Sequence, residues 1–273
     1  MTYRFIRRKP FLWFSIFSYL FSWISWLIAP LVFNETVATV FYTLGSFGPL
    51  VAASIVLKEQ GRSLKAWGMS LFKWRLNPGW YLFAFGYPIV LIAIVSLVYL
   101  LLGNSLDFTV LSDRLTAYLP TLLFLTVAGG GNEEPGWRGF GLPALQRRCS
   151  PVVATCVLGL VWAFWHLPLL AINPDVASGA ISTTQILLIA GVTLVSITTH
   201  AFWYTWLINR TGSVLLCIIL HASYNAANGL LLLVPEEALR GSSYQSLLVV
   251  MTVVLGVSVS GLLITTKGRL GAS

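Results

Sequence analysis

Apolar residues in this chain of 273 gather into runs of about 20, separated by short polar or charged segments. Eight such runs can be marked: 11–33, 37–57, 78–102, 115–131 with a continuation to 146, 152–172, 181–208, 214–234 and 247–265. At about 1.5 Å of rise per residue, each main run is long enough to cross a hydrocarbon core of roughly 30 Å. The pattern predicts an all-α fold: a polytopic membrane protein of about eight transmembrane helices. The fourth run is unlike the others. Its hydrophobicity is interrupted by Gly129, Gly130 and Gly131, then by Asn132, Glu133 and Glu134.

The first run follows Arg4, Arg7, Arg8 and Lys9. It is longer than the apolar region of a signal peptide, roughly 7–15 residues, and no small-x-small cleavage site follows, so a retained anchor is expected. The basic residues then orient the chain. With eight spans, 14 of the 17 Lys and Arg fall on one side, in the 4–9, 58–75, 147–148, 210 and 267–269 segments. The other side receives only Arg114 and Arg240, with Glu35, Asp107, Asp113, Asp175, Glu236 and Glu237; Arg138 lies within a span. Positive charge stays in the cytoplasm, so both termini are expected there.

Composition narrows the class further. Hydrophobic residues make up 57% of the chain and charged ones only 10%, where soluble domains carry roughly 25% charged residues. This excludes a disordered chain, a disulfide scaffold and a nucleic-acid binder driven by a basic face. The lipid bilayer is the expected solvent and partner, nucleic acid is not, and the excess of +8 is accounted for by orientation. Cys149, Cys156 and Cys217 form no metal-type pair. The basic loop 58–78 holds Trp67 and Trp74, with Trp80 just beyond it, and is expected to lie on the headgroup surface as an amphipathic segment.

An ionisable residue at membrane depth is costly and marks function. The candidates are Glu133, Glu134 and Arg138 in the fourth run, His166 in the fifth, His200 in the sixth, and His221 with Asn225 in the seventh. Measured at the helical rise from the cytoplasmic end of each run, they lie about 12–22 Å deep, within one slab. The three glycines break the helix, and Asn132 is expected to cap a new one, with the glutamates in its first turn and Pro135 tolerated there. Glu134 and Arg138 are four apart and can pair, which leaves Glu133 free. The plainer alternative is that both glutamates only cap a broken helix. His221 and Asn225 also share a helix face and can reach one oxygen together or clamp two helices. His166 alone reads as a packing histidine, and His200, without a partner at helical spacing beyond Ser196 and Tyr204, does so as well.

Three motifs in order, Glu133-Glu134-Pro135-Gly136-Trp137-Arg138, then Trp162 to His166, then His221 to Asn225, resemble the CAAX protease and bacteriocin-processing (CPBP) family. This group includes the Ras-converting CAAX endopeptidases. The continuation Gly139-Phe140-Gly141-Leu142-Pro143 resembles its bacterial members. The likeness covers about residues 115–235, giving a division into N-terminal spans with the basic loop (1–114), a catalytic core (115–235) and a last span with its tail (236–273). Two departures stand out. The family often has bulky aromatics at Pro135 and Gly136, and often Phe at Trp162. Neither is expected to replace a group that does chemistry.

The resemblance implies an intramembrane endopeptidase acting on a peptide or protein substrate at the membrane. Carried over, Glu133 would be the base that activates water and His166 would help to hold that water. His221 and Asn225 would stabilise the oxyanion, and Glu134 and Arg138 would support the helix start. A metal-free glutamate mechanism is favoured and no metal is assigned; zinc, were it the cofactor of a metalloprotease variant, would take Glu133, His166 and His221. Eukaryotic relatives cut after a prenylated cysteine. The basic composition and short loops point instead to a multi-pass protein of a bacterial inner or plasma membrane, acting on a peptide or small membrane protein. The rival readings are a non-catalytic scaffold or bacteriocin self-immunity protein and, without an inverted repeat to favour it, a transporter.

Overall fold

The computed structural model describes residue 6, residues 8–235 and residues 241–272. Arg4, Arg7, Glu236, Glu237 and Arg240, used above to orient the chain, lie outside them. The described residues are all helical or connecting, with no strand. The main helices are α1 (Pro10–Ile28), α2 (Glu35–Gly45), α3 (Gly48–Glu59), α4 (Leu64–Leu71), α5 (Pro78–Leu101) and α6 (Leu111–Val127). A composite helix α7 (131–146) follows, then α8 (Pro151–Trp165), α9 (Leu167–Ala171), α10 (Pro174–Ala177), α11 (Thr183–Thr211), α12 (Val214–Leu230) and α13 (Gly241–Thr266).

Side-chain caps set several of the starts. Asn34, Ser63, Asn77, Ser150, Ser182 and Ser213 each accept a backbone N–H of the helix that follows, satisfying one of its unpaired first-turn donors. Pro78 and Pro151 sit at the first helical position, where the absent N–H costs nothing. Ser182 and Gln185 complete a reciprocal capping box. Gly212, at φ +66°, closes α11 in the left-handed conformation.

Five helical stretches among the described residues are long and apolar enough to cross a membrane, or six if the bent pair α2–α3 counts as one. The expected span 37–57 is that pair, bent by 47°. Its break serves packing: a Cβ on Gly45 would run into the Trp26 indole, and one on Gly48 into Ser22 of α1. The runs at 115–146 and 214–234 form helices shorter than a full span. The first becomes α6 and α7, and the second becomes the 17-residue α12. The protein is therefore a multi-pass helical membrane protein by composition and length, and its lipid-sized apolar exposure agrees: Leu82, Leu101, Val257 and Ile264 are all exposed.

The basic loop packs one face against the bundle. Within α4, Trp67 and Leu71 are buried. The Trp67 indole N–H donates to the Gly139 carbonyl at 3.2 Å, and Lys73 Nζ donates to the Thr211 carbonyl at 2.8 Å. Trp80 stacks near Trp206, with ring centroids 5.3 Å apart. Only Trp74 of the three is exposed. The segment docks on the bundle because backbone carbonyls at its inner surface need donors.

Candidate active site

The broken fourth run is the centre of the site. The chain leaves α6 and turns through Gly129 (φ +97°) and Gly130 (φ +148°), conformations that side-chain-bearing residues rarely adopt. It then forms a 3-10 turn (Gly131–Glu133), a helical turn (Glu134–Gly136), a π turn (Trp137–Gly141) and a last α turn (Leu142–Gln146). Asn132 does not cap this element. Gly130 occupies the cap position, and Asn132 Oδ1 accepts from the amides of Gly129 and Gly130, each at 3.0 Å. Its Nδ2 donates to Ser46 Oγ at 2.8 Å. The positive φ angles turn those two amides inward, so Asn132 braces the loop before it.

Glu134 is fully buried and makes the expected pair with Arg138, Nη1 to Oε1 at 3.0 Å. The same Oε1 accepts from His221 Nδ1 at 2.7 Å. Arg138 lies between two rings, its Cζ 4.3 Å from the centroid of Trp162 and 4.1 Å from that of Tyr204. Two aromatic faces and one carboxylate thus accompany a guanidinium that is 1% exposed.

Glu133 turns the other way. Its Oε2 accepts two indole N–H groups, from Trp162 at 2.9 Å and Trp137 at 3.3 Å. The carboxylate lines a cavity of about 420 Å³ together with His166, His200, His221, Tyr224 and Asn225. Trp26, Tyr42 and Ser46, from before residue 115, complete the wall with Trp162, Trp165 and Leu169. His166 closes α8, and its Nδ1 lies 2.9 Å from the Trp162 carbonyl. A carbonyl only accepts, so Nδ1 carries the proton and Nε2 keeps its lone pair. Three bonds fix this corner: Tyr19 Oη to the Val161 carbonyl (2.6 Å), Trp23 Nε1 to the Trp165 carbonyl (3.0 Å) and Trp26 Nε1 to the Tyr42 carbonyl (3.0 Å).

Asn225 does not present a free amide. Its Nδ2 donates to the Gly129 carbonyl at 2.9 Å, which leaves one N–H. A Cβ on Gly130 would sit 2.8 Å from that Nδ2 and 3.1 Å from His221 Nε2, so both side chains meet at the glycine turn.

The six residues given roles by the resemblance therefore divide into two groups. Glu133, His166, His221 and Asn225 share the cavity wall, while Glu134 and Arg138 stand behind it. His200 packs between aromatic rings, as expected, and it also borders the site. It lines the cavity, with its ring 4.0 Å from Tyr224 and 4.8 Å from Tyr204. Trp137, Trp162 and Tyr204 also contact the charged groups; Trp137 and Trp162 stand within the motifs, but the motifs alone do not show that their indole N–H groups reach Glu133. Among the described residues no three His, Cys, Asp or Glu are gathered closely enough to hold a metal ion as they stand. One Glu133 oxygen is taken by two indoles and both imidazole Nδ1 atoms are committed elsewhere. Each Nδ1 bond leaves Nε2 as the ring atom that a metal would meet.

Residues 115–227 match the family model described as "Type II CAAX prenyl endopeptidase Rce1-like". The match supports the CAAX protease family. A CAAX prenyl protease 2 of Methanococcus maripaludis is 40% identical over 58 residues, which cover 21% of this chain and 21% of that protein. The shared segment thus spans about a fifth of the relative's length, whereas the Rce1-like match takes in all six candidates, from Glu133 to Asn225. The Rce1-like segment also contains Gly136, a departure from the family pattern. A Cβ there would fall against the Pro49 backbone, so the small residue lets α7 and α3 touch.

Proposed function

We propose that this chain is a CAAX-type intramembrane endopeptidase that hydrolyses a peptide bond of a membrane-associated peptide or protein, with Glu133 as the base. The observation that carries this reading is the cavity shared by Glu133, His166, His221 and Asn225. A water between Glu133 and His166 Nε2 loses its proton to the carboxylate as its oxygen attacks the scissile carbonyl. The oxyanion that forms is met by the remaining N–H of Asn225 and by His221 Nε2. For His221 to donate there, the ring must carry protons on both nitrogens, and the buried Glu134 carboxylate at Nδ1 supplies the balancing charge. Each such donor contributes about 3 kcal/mol to the transition state. Glu133 then passes its proton to the leaving amine.

In this reading both termini are cytoplasmic, the eight apolar runs all enter the bilayer, and the protein belongs to a bacterial cell membrane. Glu134 and Arg138 support the site without touching substrate. No step is routed through a metal. The test is cleavage of a quenched peptide library by the purified protein in proteoliposomes, with and without chelator, comparing wild type with Glu133→Gln and His166→Ala. Activity that survives chelation and is lost in both variants is the expected result. Activity that survives Glu133→Gln overturns the reading.

A further inference from the structure

Trp162 contacts more of the site than any position singled out from the sequence. Its indole N–H donates to Glu133 Oε2 at 2.9 Å. Its backbone carbonyl accepts a hydrogen bond from His166 Nδ1 at 2.9 Å. Its ring lies edge-on to His221, with centroids 5.4 Å apart, and under the Arg138 guanidinium. We propose that Trp162 is a positioning residue for the reacting carboxylate: its N–H, aided by that of Trp137, holds Oε2 of Glu133 so that Oε1 is the oxygen that meets water. The inference rests on the endopeptidase reading and deepens it.

The physical argument is geometric. The last torsion of a glutamate is broad and roughly two-fold, so an unheld carboxylate turns and presents either oxygen at varying angles. Two indole donors on one oxygen remove that freedom. An indole N–H only donates; it cannot accept the proton that the base must take, so it orients without competing. Trp137 reaches the same oxygen from four residues along α7, while Trp162 reaches it from α8. The clamp therefore ties the carboxylate to two elements. Trp162 is itself held: it is 3% exposed, with Tyr204 edge-on at 5.7 Å between centroids. Misplacing a reacting group by about 1 Å can cost on the order of a hundredfold in rate. The contrast with Trp165, whose Nε1 is buried without a hydrogen bond, shows that a tryptophan in this wall does not acquire a partner merely by being there.

Trp162→Phe keeps a ring and deletes the donor. A tighter version replaces Trp162 with its benzothiophene analogue, which preserves shape and removes only the N–H. Both are made in the full chain and assayed in proteoliposomes with a peptide that the wild type cleaves, beside Trp137→Phe and the exposed control Trp74→Phe. The expected result is a fall in kcat of about 10- to 100-fold for both changes at 162, from loss of a hydrogen bond to a charged group. KM should stay within about twofold and the melting temperature should be that of wild type. Trp137→Phe, with the longer bond, should fall less, and Trp74→Phe not at all. A benzothiophene variant with wild-type kcat overturns the inference and leaves the endopeptidase reading standing. Equal losses in KM and in melting temperature overturn it as well, since they mark a packing role. A wild type with no cleavage beyond that of Glu133→Gln overturns both.

Discussion

Replacing Glu134 by leucine strands a guanidinium. Arg138 and Glu134 are both without exposed side-chain surface, and Nη1 of Arg138 has Glu134 Oε1 as its hydrogen-bond partner. Removing one member of a buried pair costs about 3–5 kcal/mol, because the other charge remains desolvated and unpaired. The stacking of Arg138 on Trp162 and Tyr204 does not reduce this figure, as it is present before and after the change. His221 also loses the acceptor of its Nδ1 proton. At about 2–4 °C per kcal/mol for a chain of this size, Glu134→Leu should melt roughly 6–20 °C below wild type. Glu134→Leu with Arg138→Met removes both charges and should recover part of that loss, while giving up the two ring contacts at about 0.5–2 kcal/mol each. The assay is thermal unfolding of the purified protein in detergent, followed by circular dichroism. A single variant that melts with wild type, or a double variant no more stable than the single, refutes the reasoning.

Three further outcomes follow from the geometry. Gly136→Val should destabilise by about 1–3 kcal/mol or more, because its Cβ meets the Pro49 backbone; a melt shows this directly. Gly130→Ala should abolish most peptidase activity, since φ +148° and a Cβ 2.8 Å from Asn225 Nδ2 displace the turn. The measured kcat decides, with circular dichroism to establish folding. Gly159→Leu should part α8 from α11, where an added Cβ would lie 2.9 Å from Thr198 Cα, and should lower both the melting temperature and kcat by shifting His166.

Much of the architecture was readable because membrane helices are bounded by strong local signals. The run 78–102 is α5 at Pro78–Leu101, since Asn77 caps it and Pro78 opens it; Ser150 and Ser213 do the same for α8 and α12. The 47° bend between α2 and α3 was not readable, because it answers to Trp26 and Ser22 on another helix. The pairing of Glu134 with Arg138 follows from four-residue spacing, whereas His221 as the third member does not, being 87 positions away. Asn132 was assigned to the wrong amides because cap chemistry assumes ordinary φ angles before the helix. Trp162 was taken as an inert stand-in for phenylalanine, although the one atom that differs in hydrogen-bonding capacity is the atom in contact with Glu133. The contact of His200 with Tyr204 follows from helical spacing, whereas its contact with Tyr224 of α12 comes only with the packing of two helices.

Trp26, Tyr42 and Ser46 furnish one side of the chamber, although they lie well before residue 115, where the Rce1-like match begins. Part of the surface that a bound chain would rub against is thus encoded apart from the candidate reactive groups. Relatives could keep the chemistry and exchange its clientele by altering only the first two helices. Grafting residues 1–60 between such proteins is the natural way to move selectivity without touching the proposed catalytic groups.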